Sequence, residues 1–315
     1  MQWSSISRKS SGVWIAAAAM AALILGSSGG PTPFHPMNVR LGRHGLARIN
    51  EHRSDGTWTS DNWSGYAIAA TSGSLPTGSV TMASASWIVP MATCTGTSEG
   101  ATGGYASFWV GIDGWTSNTV EQIGTDSDCV NPATGAGNTP SYYAWFEFYP
   151  QSAYYIGNPS NNFEGYSVQP GDVISALVSA TGNGNFTATI TDTRSNVEQW
   201  TASTTGHVRG AQQTSAEWIA EAPCCGKRDT MLPLSNFGYA NYGDDYTFNA
   251  QTSTTTVQGV TGAIGSASFS QNVQETTMVS QGARGGSPSG TLMAQPTNLS
   301  SDGTSFQIEW YNSGP

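Results

Sequence analysis

Apolar and polar positions alternate along most of the chain from residue 58 onward, in short runs that are separated by Gly, Ser, Asn and Pro. A period of two is typical of strands that bury one face, whereas a helical period of 3.6 occurs only in the N-terminal apolar run. The predicted strands are "WSGYAIAA", "VTMASASWIVP", "ASFWVGIDG", "TVEQIGT", "YYAWFEFYP", "DVISALVSA", "NFTATITDT", "SAEWIAEAP", "YTFNA" and "SFQIEWYN". Many short strands with tight turns predict an all-β fold, a β-sandwich of two packed antiparallel sheets of the concanavalin A-like or jelly-roll type.

The strand "YYAWFEFYP", residues 142–150, carries a carboxylate among aromatic rings. Alternation places Tyr143, Trp145, Glu147 and Tyr149 on one face. The opposite face carries only Tyr142, Ala144, Phe146 and Phe148. The second face belongs in a core, and the first is predicted to line a cleft in which Glu147 is a candidate general acid or base.

The strand "TVEQIGT" supplies an amide of less certain meaning. Alternation places Val120 and Gln122 on one face and Glu121 on the other. An inward-facing Gln is unusual unless its amide is used, and hydrogen bonding to a neighbouring strand is the simplest use. From the residues alone, a structural amide is the favoured interpretation of Gln122.

The first residues have the layout of a secretory signal. A polar start with Arg8 and Lys9 precedes the apolar run Val13–Leu25, and the small residues "GSSGG" follow it. Thirteen apolar residues are short for a bilayer span, so cleavage is favoured over anchoring. We therefore predict a signal peptide over residues 1–29, a secreted, extracellular protein, and no membrane association after cleavage.

Residues 30–57, here called the basic segment, differ in charge from the rest of the chain. Residues 1–57 hold six basic and two acidic residues, whereas the remainder holds five basic and nineteen acidic, a formal charge of −14. We predict that the basic segment is a propeptide that opposite charge holds on the body and that acid releases; a disordered basic linker is the alternative. The predicted catalytic domain is then residues 58–315, and its acidity argues against nucleic-acid binding.

Cysteine and histidine usage adds little chemistry. Cys94 and Cys129 flank one compact segment and are predicted to pair, while the partners of Cys224 and Cys225 stay open. No cysteine spacing resembles a zinc site, and the histidines form no ligand pattern, so no metal is predicted. Because His207 alone lies in the body, a His-based catalytic triad is poorly supplied.

Taken together and in this order, "NWSGYA", "WVGIDG", "EQIGTD", "YYAWFEFYP" and "AEWIAEAP" resemble the glutamic peptidase family, the eqolisins. The resemblance spans most of residues 58–240. It implies a β-sandwich that is secreted as a proenzyme with a basic propeptide and hydrolyses proteins in acid. It further implies that Glu147 and Gln122 are the catalytic pair and that the cleft lies near Trp109, Asp113 and Asp126. The full set of candidates for substrate binding is Trp63, Trp109, Asp113, Asp126, Tyr143 and Trp145.

The implied chemistry suits these side chains. Glu147 would take a proton from the attacking water and return it to the leaving amine, while the Gln122 amide would stabilise the oxyanion. An amide is neutral at every pH, so it keeps this role in acid. The expected partners are protein or peptide substrates and the propeptide as inhibitor, for a monomer that needs no cofactor.

Two other functions compete with this prediction. A β-sandwich glycoside hydrolase could use Glu147 with Glu217 or Glu221, since a retaining enzyme needs two carboxylates about 5 Å apart. It would leave Gln122 without a role and the basic segment unexplained. A non-catalytic carbohydrate-binding module would account for the aromatic face alone.

Overall fold

The computed structural model describes residues 33–37, 44–94, 104–131, 133, 137–193, 199–224, 231–249, 252–280 and 290–314. The predicted signal peptide lies outside the described residues. The described residues fall within one unit, Pro33–Pro315. Across these ranges, none of the helices has the length and apolar character that a membrane span requires.

Strands dominate the described part of the chain, as the alternating pattern predicts. The first ten are β1 (Phe34–Pro36), β2 (Ile49–His52), β3 (Trp58–Ser60), β4 (Trp63–Ile68), β5 (Val80–Ile88), β6 (Ser107–Ile112), β7 (Val120–Val130), β8 (Gly137–Tyr149), β9 (Tyr154–Ile156) and β10 (Val173–Gly182). The others are β11 (Asn185–Asp192), β12 (Trp200–His207), β13 (Ala216–Glu221), β14 (Tyr239–Tyr242), β15 (Thr254–Val257), β16 (Val260–Ala263), β17 (Val273–Ser280), β18 (Thr291–Pro296) and β19 (Phe306–Trp310). Two 3₁₀ turns span Pro159–Asn161 and Ala267–Phe269.

One predicted strand, "YTFNA", is wrong. The chain there forms a short helix, α1 (Asp244–Thr247), which ends at Phe248 in a left-handed conformation with φ of 51°. Gly243, with φ of 96°, breaks the preceding strand β14. Asp244 and Asp245 then occupy the first helical turn, where acidic side chains are favoured.

Two sheets form the sandwich. The front sheet runs β17–β4–β13–β6–β7–β8–β9–β1, and all of its neighbouring strands are antiparallel. The back sheet runs β12–β11–β10–β5, and both β14 and β15 pair with the other edge of β5. Strands β19 and β18 connect β14 to β17 and so join the two sheets. The predicted β-sandwich of antiparallel sheets is thereby confirmed.

The front sheet buries side chains on both of its faces. Its inner face packs on the back sheet, where Phe108, Val110 and Trp218 share a core with Trp87 and Ile174. Its outer face carries a second buried cluster that includes Trp63, Trp109, Tyr143, Trp145 and Ile219. We call the outer face the cleft face.

The predicted disulfide is present. Cys94 and Cys129 are bonded, with their Cα atoms 5.3 Å apart, within the usual range for a disulfide. The bond ties the segment after β5 to the end of β7. Cys224 is also disulfide-bonded.

Candidate active site

Cross-strand register on the cleft face aligns side chains in three neighbouring rows. The first row is Ala67, Glu217, Gly111, Gln122 and Glu147. The second row is Gly65, Ile219, Trp109, Gly124 and Trp145. The third row is Trp63, Glu221, Ser107, Asp126 and Tyr143. The predicted alternation of residues 142–149 is confirmed, because Tyr143 and Trp145 lie on the cleft face and Ala144, Phe146 and Phe148 lie in the inner core.

Gln122 and Glu147 form a direct pair in the first row. They are opposite each other on β7 and β8, and Gln122 Nε2 donates to Glu147 Oε2 at 3.0 Å. Both side chains are buried. The amide oxygen, Gln122 Oε1, is buried without a hydrogen-bond partner among the described residues. Glycine at position 111 keeps the neighbouring place in the row clear, because a Cβ there would lie 3.2 Å from Gln122 Cβ.

Asp126 organises the aromatic rings of the neighbouring rows. Its Oδ1 accepts from Trp145 Nε1 at 2.6 Å, and its Oδ2 accepts from the Tyr143 hydroxyl at 2.9 Å. The same hydroxyl lies 2.6 Å from Asp128 Oδ2. A phenol has one hydrogen to donate, so a proton on one of the two carboxyl groups would allow that group to donate to the phenol oxygen and satisfy both contacts.

Burial favours protonation of this carboxyl pair. Loss of solvent raises the pKa of Asp126 to about 7, against the hydrogen bonds that Ser107, Tyr143 and Trp145 provide. Burial also raises the pKa of Asp128 well above its ordinary value, and the charge of Asp126 raises it further. The two groups therefore titrate as one unit that keeps a proton in mild acid.

Glu221 lies in the third row, on the other side of Ser107 from Asp126. Its Oε2 accepts from Trp109 Nε1 at 2.9 Å. Burial raises the pKa of Glu221 well above its ordinary value, and nearby Glu147 contributes in the same direction. Trp63 packs edge-on against Trp109, with ring centroids 4.9 Å apart, at the same end of the cleft face as Glu221.

The basic segment crosses the cleft face. Its strand β1 pairs with β9, and Met37 joins the buried cleft cluster. The backbone N–H of Gly45 donates to Glu221 Oε1 at 3.1 Å. The N–H of Ala47 donates to the carbonyl of Gly114, and strand β2 pairs with β3.

His44 of the basic segment is almost entirely buried against the cleft face. Its imidazole stacks on Trp145 with ring centroids 3.5 Å apart and planes 3° apart. Its Nδ1 lies 3.0 Å from Ser107 Oγ, and its Nε2 lies 3.9 Å from Asp126 Oδ2. Only 1% of the side chain is exposed, and this burial lowers the pKa of His44 to about 3. The ring is therefore neutral at neutral pH.

Asp113, a predicted substrate-binding residue, contacts a different part of the molecule. Its carboxylate accepts from the backbone N–H groups of Gln212, Gln213 and Thr214 at 2.7 to 2.9 Å. These contacts fix the turn before β13. Asp113 is thus not brought to Gln122 and Glu147, whereas the other five candidates lie in the second and third rows.

Several residues at this face have no part in the sequence prediction. Asp128 could have been predicted from the sequence, because alternation along β7 puts it on the same face as Gln122 and Asp126. Ser107 and His44 could not have been predicted, because serine is common and because His44 is far in sequence from the strands that it contacts. Glu221 was named only as a glycosidase candidate.

The fold and the site together define a β-sandwich protein whose cleft pairs one carboxylate with one amide. Residues 61–287, more than two thirds of the chain, match the Peptidase A4 family. The chain belongs to this family.

Known proteins of similar sequence and structure agree. Aspergillopepsin-2 of Aspergillus niger is 32% identical over 198 residues, which cover 58% of this chain and 62% of that protein. Scytalido-glutamic peptidase, solved with a transition-state analogue inhibitor, superposes with a TM-score of 0.55 at 19% identity, over 80% of this chain and 98% of that one. SCP-B, an eqolisin solved with the tripeptide Ala-Ile-His, gives 0.53 at 20% identity over the same shares. At these identities the two structures support the fold.

Proposed function

We propose that this protein is a secreted acid endopeptidase that hydrolyses peptide bonds of proteins with Glu147 and Gln122. The observation that carries the proposal is the hydrogen bond of 3.0 Å between these two side chains, in a buried position on the cleft face. Membership of the Peptidase A4 family supports a peptidase over the glycoside hydrolase and the carbohydrate-binding module.

In the proposed reaction, water is the nucleophile. Glu147 takes one proton as the water oxygen attacks the peptide carbonyl carbon. The carbonyl oxygen becomes negative and accepts a hydrogen bond from Gln122 Nε2, which stabilises the tetrahedral intermediate. When the C–N bond breaks, Glu147 returns the proton to the leaving amine, so that one acid and one amine are released.

The surroundings of the pair suit work in acid. The amide of Gln122 does not titrate, so its donor is present at every pH. Because Gln122 Nε2 donates to Glu147 Oε2, the contact favours the ionised carboxylate, which is the form that can accept a proton. Burial raises the pKa values of Asp126 and Glu221, which favours their protonated forms in mild acid.

Two substitutions test the roles of the pair. Glu147→Gln removes the base and is expected to lower kcat by about 10²–10⁴-fold. Gln122→Ala removes the oxyanion donor and is expected to lower kcat by about 10²–10³-fold. Both are measured as peptide release from a denatured protein across acidic pH, with the melting temperature as a check on folding.

Matched controls are available on the surface. Glu164→Gln and Gln169→Ala make the same chemical changes at exposed positions and should leave kcat unchanged. Wild-type kcat in either Glu147→Gln or Gln122→Ala would contradict the proposed pair. Release of reducing sugar from β-glucans without peptide release would instead support a glycoside hydrolase.

We further propose that residues 1–29 are a cleaved signal peptide and that the basic segment is an inhibitory propeptide. The contacts of His44, Gly45 and Ala47 with the cleft face support this role, because a substrate needs the same surface. N-terminal sequencing of the secreted protein before and after acidification is the test. We expect a start near residue 30 before acid and near residue 58 after it; one unchanged N-terminus in a fully active enzyme would contradict the propeptide.

A further inference from the structure

The place that His44 occupies is a pocket built by the body of the protein. Trp145 forms its wall, Ser107 Oγ offers a hydrogen bond, and Asp126 closes the far side. Gly124 stands between Trp109 and Trp145 in the second row, so no side chain fills the space between the two indole rings.

The wall of the pocket is held in place without help from His44. Trp145 Nε1 donates to Asp126 Oδ1, and Asp126 Oδ2 accepts from Tyr143. Tyr143 in turn contacts Asp128. A flat, fixed indole face with one hydroxyl at its edge is suited to stack a planar ring of an incoming peptide.

The pocket lies close to the reacting groups. Trp145 and Glu147 are two residues apart on one face of β8, which corresponds to about 6.7 Å. An extended substrate advances about 3.3 Å per residue, so a side chain on Trp145 belongs to a residue one or two positions from the scissile bond.

We infer that this pocket is a substrate subsite for an uncharged planar side chain such as Phe or Tyr, and that His44 occupies it in the uncleaved chain as a stand-in that leaves in acid. The inference rests on the proposed peptidase function for its substrate half. Histidine is the planar side chain that is neutral at neutral pH and gains a charge in acid. A Phe or Tyr ring of a substrate stays uncharged at neutral and at acidic pH, so it can replace His44 in the pocket.

The direction of the pH effect follows from burial. His44 has an ordinary pKa of about 6.5 when solvated, and burial in the pocket lowers the pKa to about 3. Docking therefore requires loss of a proton below pH 6.5 and weakens as the pH falls from there towards 3. At about pH 4, docking should be roughly 100-fold weaker than at neutral pH.

The acidic groups around His44 act more weakly or in the opposite sense. Asp126 faces the imidazole, Glu221 accepts from the adjacent Gly45, and Glu147 lies further along β8. Only a change in the pKa of a carboxyl group between the undocked and docked states makes docking depend on pH. A carboxyl group therefore favours docking in acid only if docking itself raises its pKa by burying it. The hydrogen-bond partners of Asp126 in the pocket are residues of the body, Tyr143 and Trp145, so much of its shift exists before docking. His44, by contrast, moves from water into the pocket.

Replacing the histidine by a ring that cannot titrate tests the stand-in. The full-length chain is prepared with Glu147→Gln, so that it cannot process itself, and exchange of the backbone amides of residues 44–48 is followed by hydrogen–deuterium exchange, corrected for intrinsic pH effects. With His44 present, we expect protection at neutral pH that falls by roughly 100-fold at about pH 4. With His44→Phe, protection should persist at about pH 4, and with His44→Ala it should be low at both pH values.

A second histidine supplies the control. His52 is exposed and stacks on Trp58 with ring centroids 4.2 Å apart, so His52→Phe should leave the pH dependence unchanged. Loss of protection in acid in the His44→Phe chain would overturn the stand-in and favour release through the carboxyl groups. This readout does not require catalysis, so it succeeds or fails independently of Glu147 and Gln122 as the reacting pair.

The substrate half is tested with active enzyme. Peptides that differ only in Phe, Tyr, Leu or Lys at one position, from three residues before to two after the scissile bond, are compared by kcat/KM in acid. At one position within two residues of the bond, Phe and Tyr should exceed Leu and Lys by roughly threefold to tenfold. Trp145→Leu should remove this preference while Leu peptides are still cleaved. Equal kcat/KM for all four side chains at every position would overturn the subsite, even in a fully active peptidase.

Discussion

The two faces of the front sheet bury aromatic rings equally well, but they treat the polar atoms of those rings differently. On the inner face, two indole donors go to uncharged partners: Trp218 Nε1 donates to the Ser84 carbonyl, and Trp87 Nε1 donates to Thr125 Oγ1. These bonds hold the front and back sheets together. The rings serve mainly to exclude water from the core.

On the cleft face, the ring donors of Trp145, Tyr143 and Trp109 go to carboxyl groups instead. Trp145 donates to Asp126, Tyr143 lies between Asp126 and Asp128, and Trp109 donates to Glu221. The same type of side chain thus positions acids on one face and seals a core on the other. The difference suggests that loss of a ring should affect stability on the inner face and substrate or segment binding on the cleft face.

The largest expected effect is on the inner face. Trp218→Ala removes a fully buried ring between the sheets and should lower the free energy of unfolding by about 3–5 kcal/mol. Trp145→Ala should cost less than half of this, because the Trp145 ring packs partly on the basic segment and not between the two sheets. Urea unfolding of the full-length chain in the Glu147→Gln background measures both; equal losses would break the comparison.

The next largest effect depends on pH. Glu121 lies on the opposite face of β7 from Gln122, and burial, followed by the charge of Asp113, raises the pKa of Glu121 to about 9. The folded form then holds a proton that the unfolded chain releases above about pH 4.3, so stability falls as pH rises from there towards 9. Glu121→Gln should recover several kcal/mol at pH 8 and change little at pH 4.

Thermal unfolding at the two pH values checks this prediction. In the Glu147→Gln background, which cannot process itself, the chain should melt at a higher temperature at pH 4 than at pH 8, and adding Glu121→Gln should reduce this difference. The exposed substitution Glu164→Gln is the matched control. An unchanged pH dependence in Glu121→Gln would show that the cleft carboxyl groups alone set it.

A substitution at Asp113 distinguishes a structural role from a substrate-binding role. The family resemblance predicts it near the cleft, but its carboxylate accepts three backbone N–H groups of the turn 212–214. Asp113→Ala leaves these donors without that partner and should lower the free energy of unfolding by about 2 kcal/mol. KM for peptides should stay within about twofold at a temperature where the variant is folded. A large rise in KM without loss of stability would instead support the substrate-binding role.

The period of two was sufficient to predict much of this architecture. It identified the strands from β4 to β8 and the two faces of residues 142–149, because each choice depends on local alternation alone. It failed at "YTFNA", where Gly243 and two following aspartates start a helical turn. Local pattern cannot give register, so the pairing of Gln122 with Glu147, 25 residues apart, came from resemblance.

The sequence could not predict the contact between His44 and the cleft, because it joins segments that are far apart in the chain. Three histidines in the basic segment gave no reason to place one of them on Trp145, because the contact joins residues about a hundred positions apart. Loop closure over such distances is decided by the summed packing of Met37, His44 and strands β1 and β2, none of which is distinctive alone. A histidine that was discounted as a catalytic base instead lies in the cleft, stacked on Trp145.

The smallest expected effect tests how finely the pocket distinguishes its occupant. Ser107 Oγ lies 3.0 Å from His44 Nδ1 and also hydrogen-bonds Asp126. Ser107→Ala removes the bond to Asp126 whether or not the basic segment is docked, but it removes the bond to His44, worth about 1 kcal/mol, only from the docked state. Protection of the amides of residues 44–48 at neutral pH should fall by roughly fivefold, since 1.4 kcal/mol corresponds to tenfold. The melting temperature should hardly change, and Ser127→Ala, which loses a bond to the Pro90 carbonyl away from the pocket, should leave protection intact. If Ser107→Ala leaves protection unchanged, stacking on Trp145 alone holds His44, and the pocket recognises the shape of the ring rather than its nitrogen.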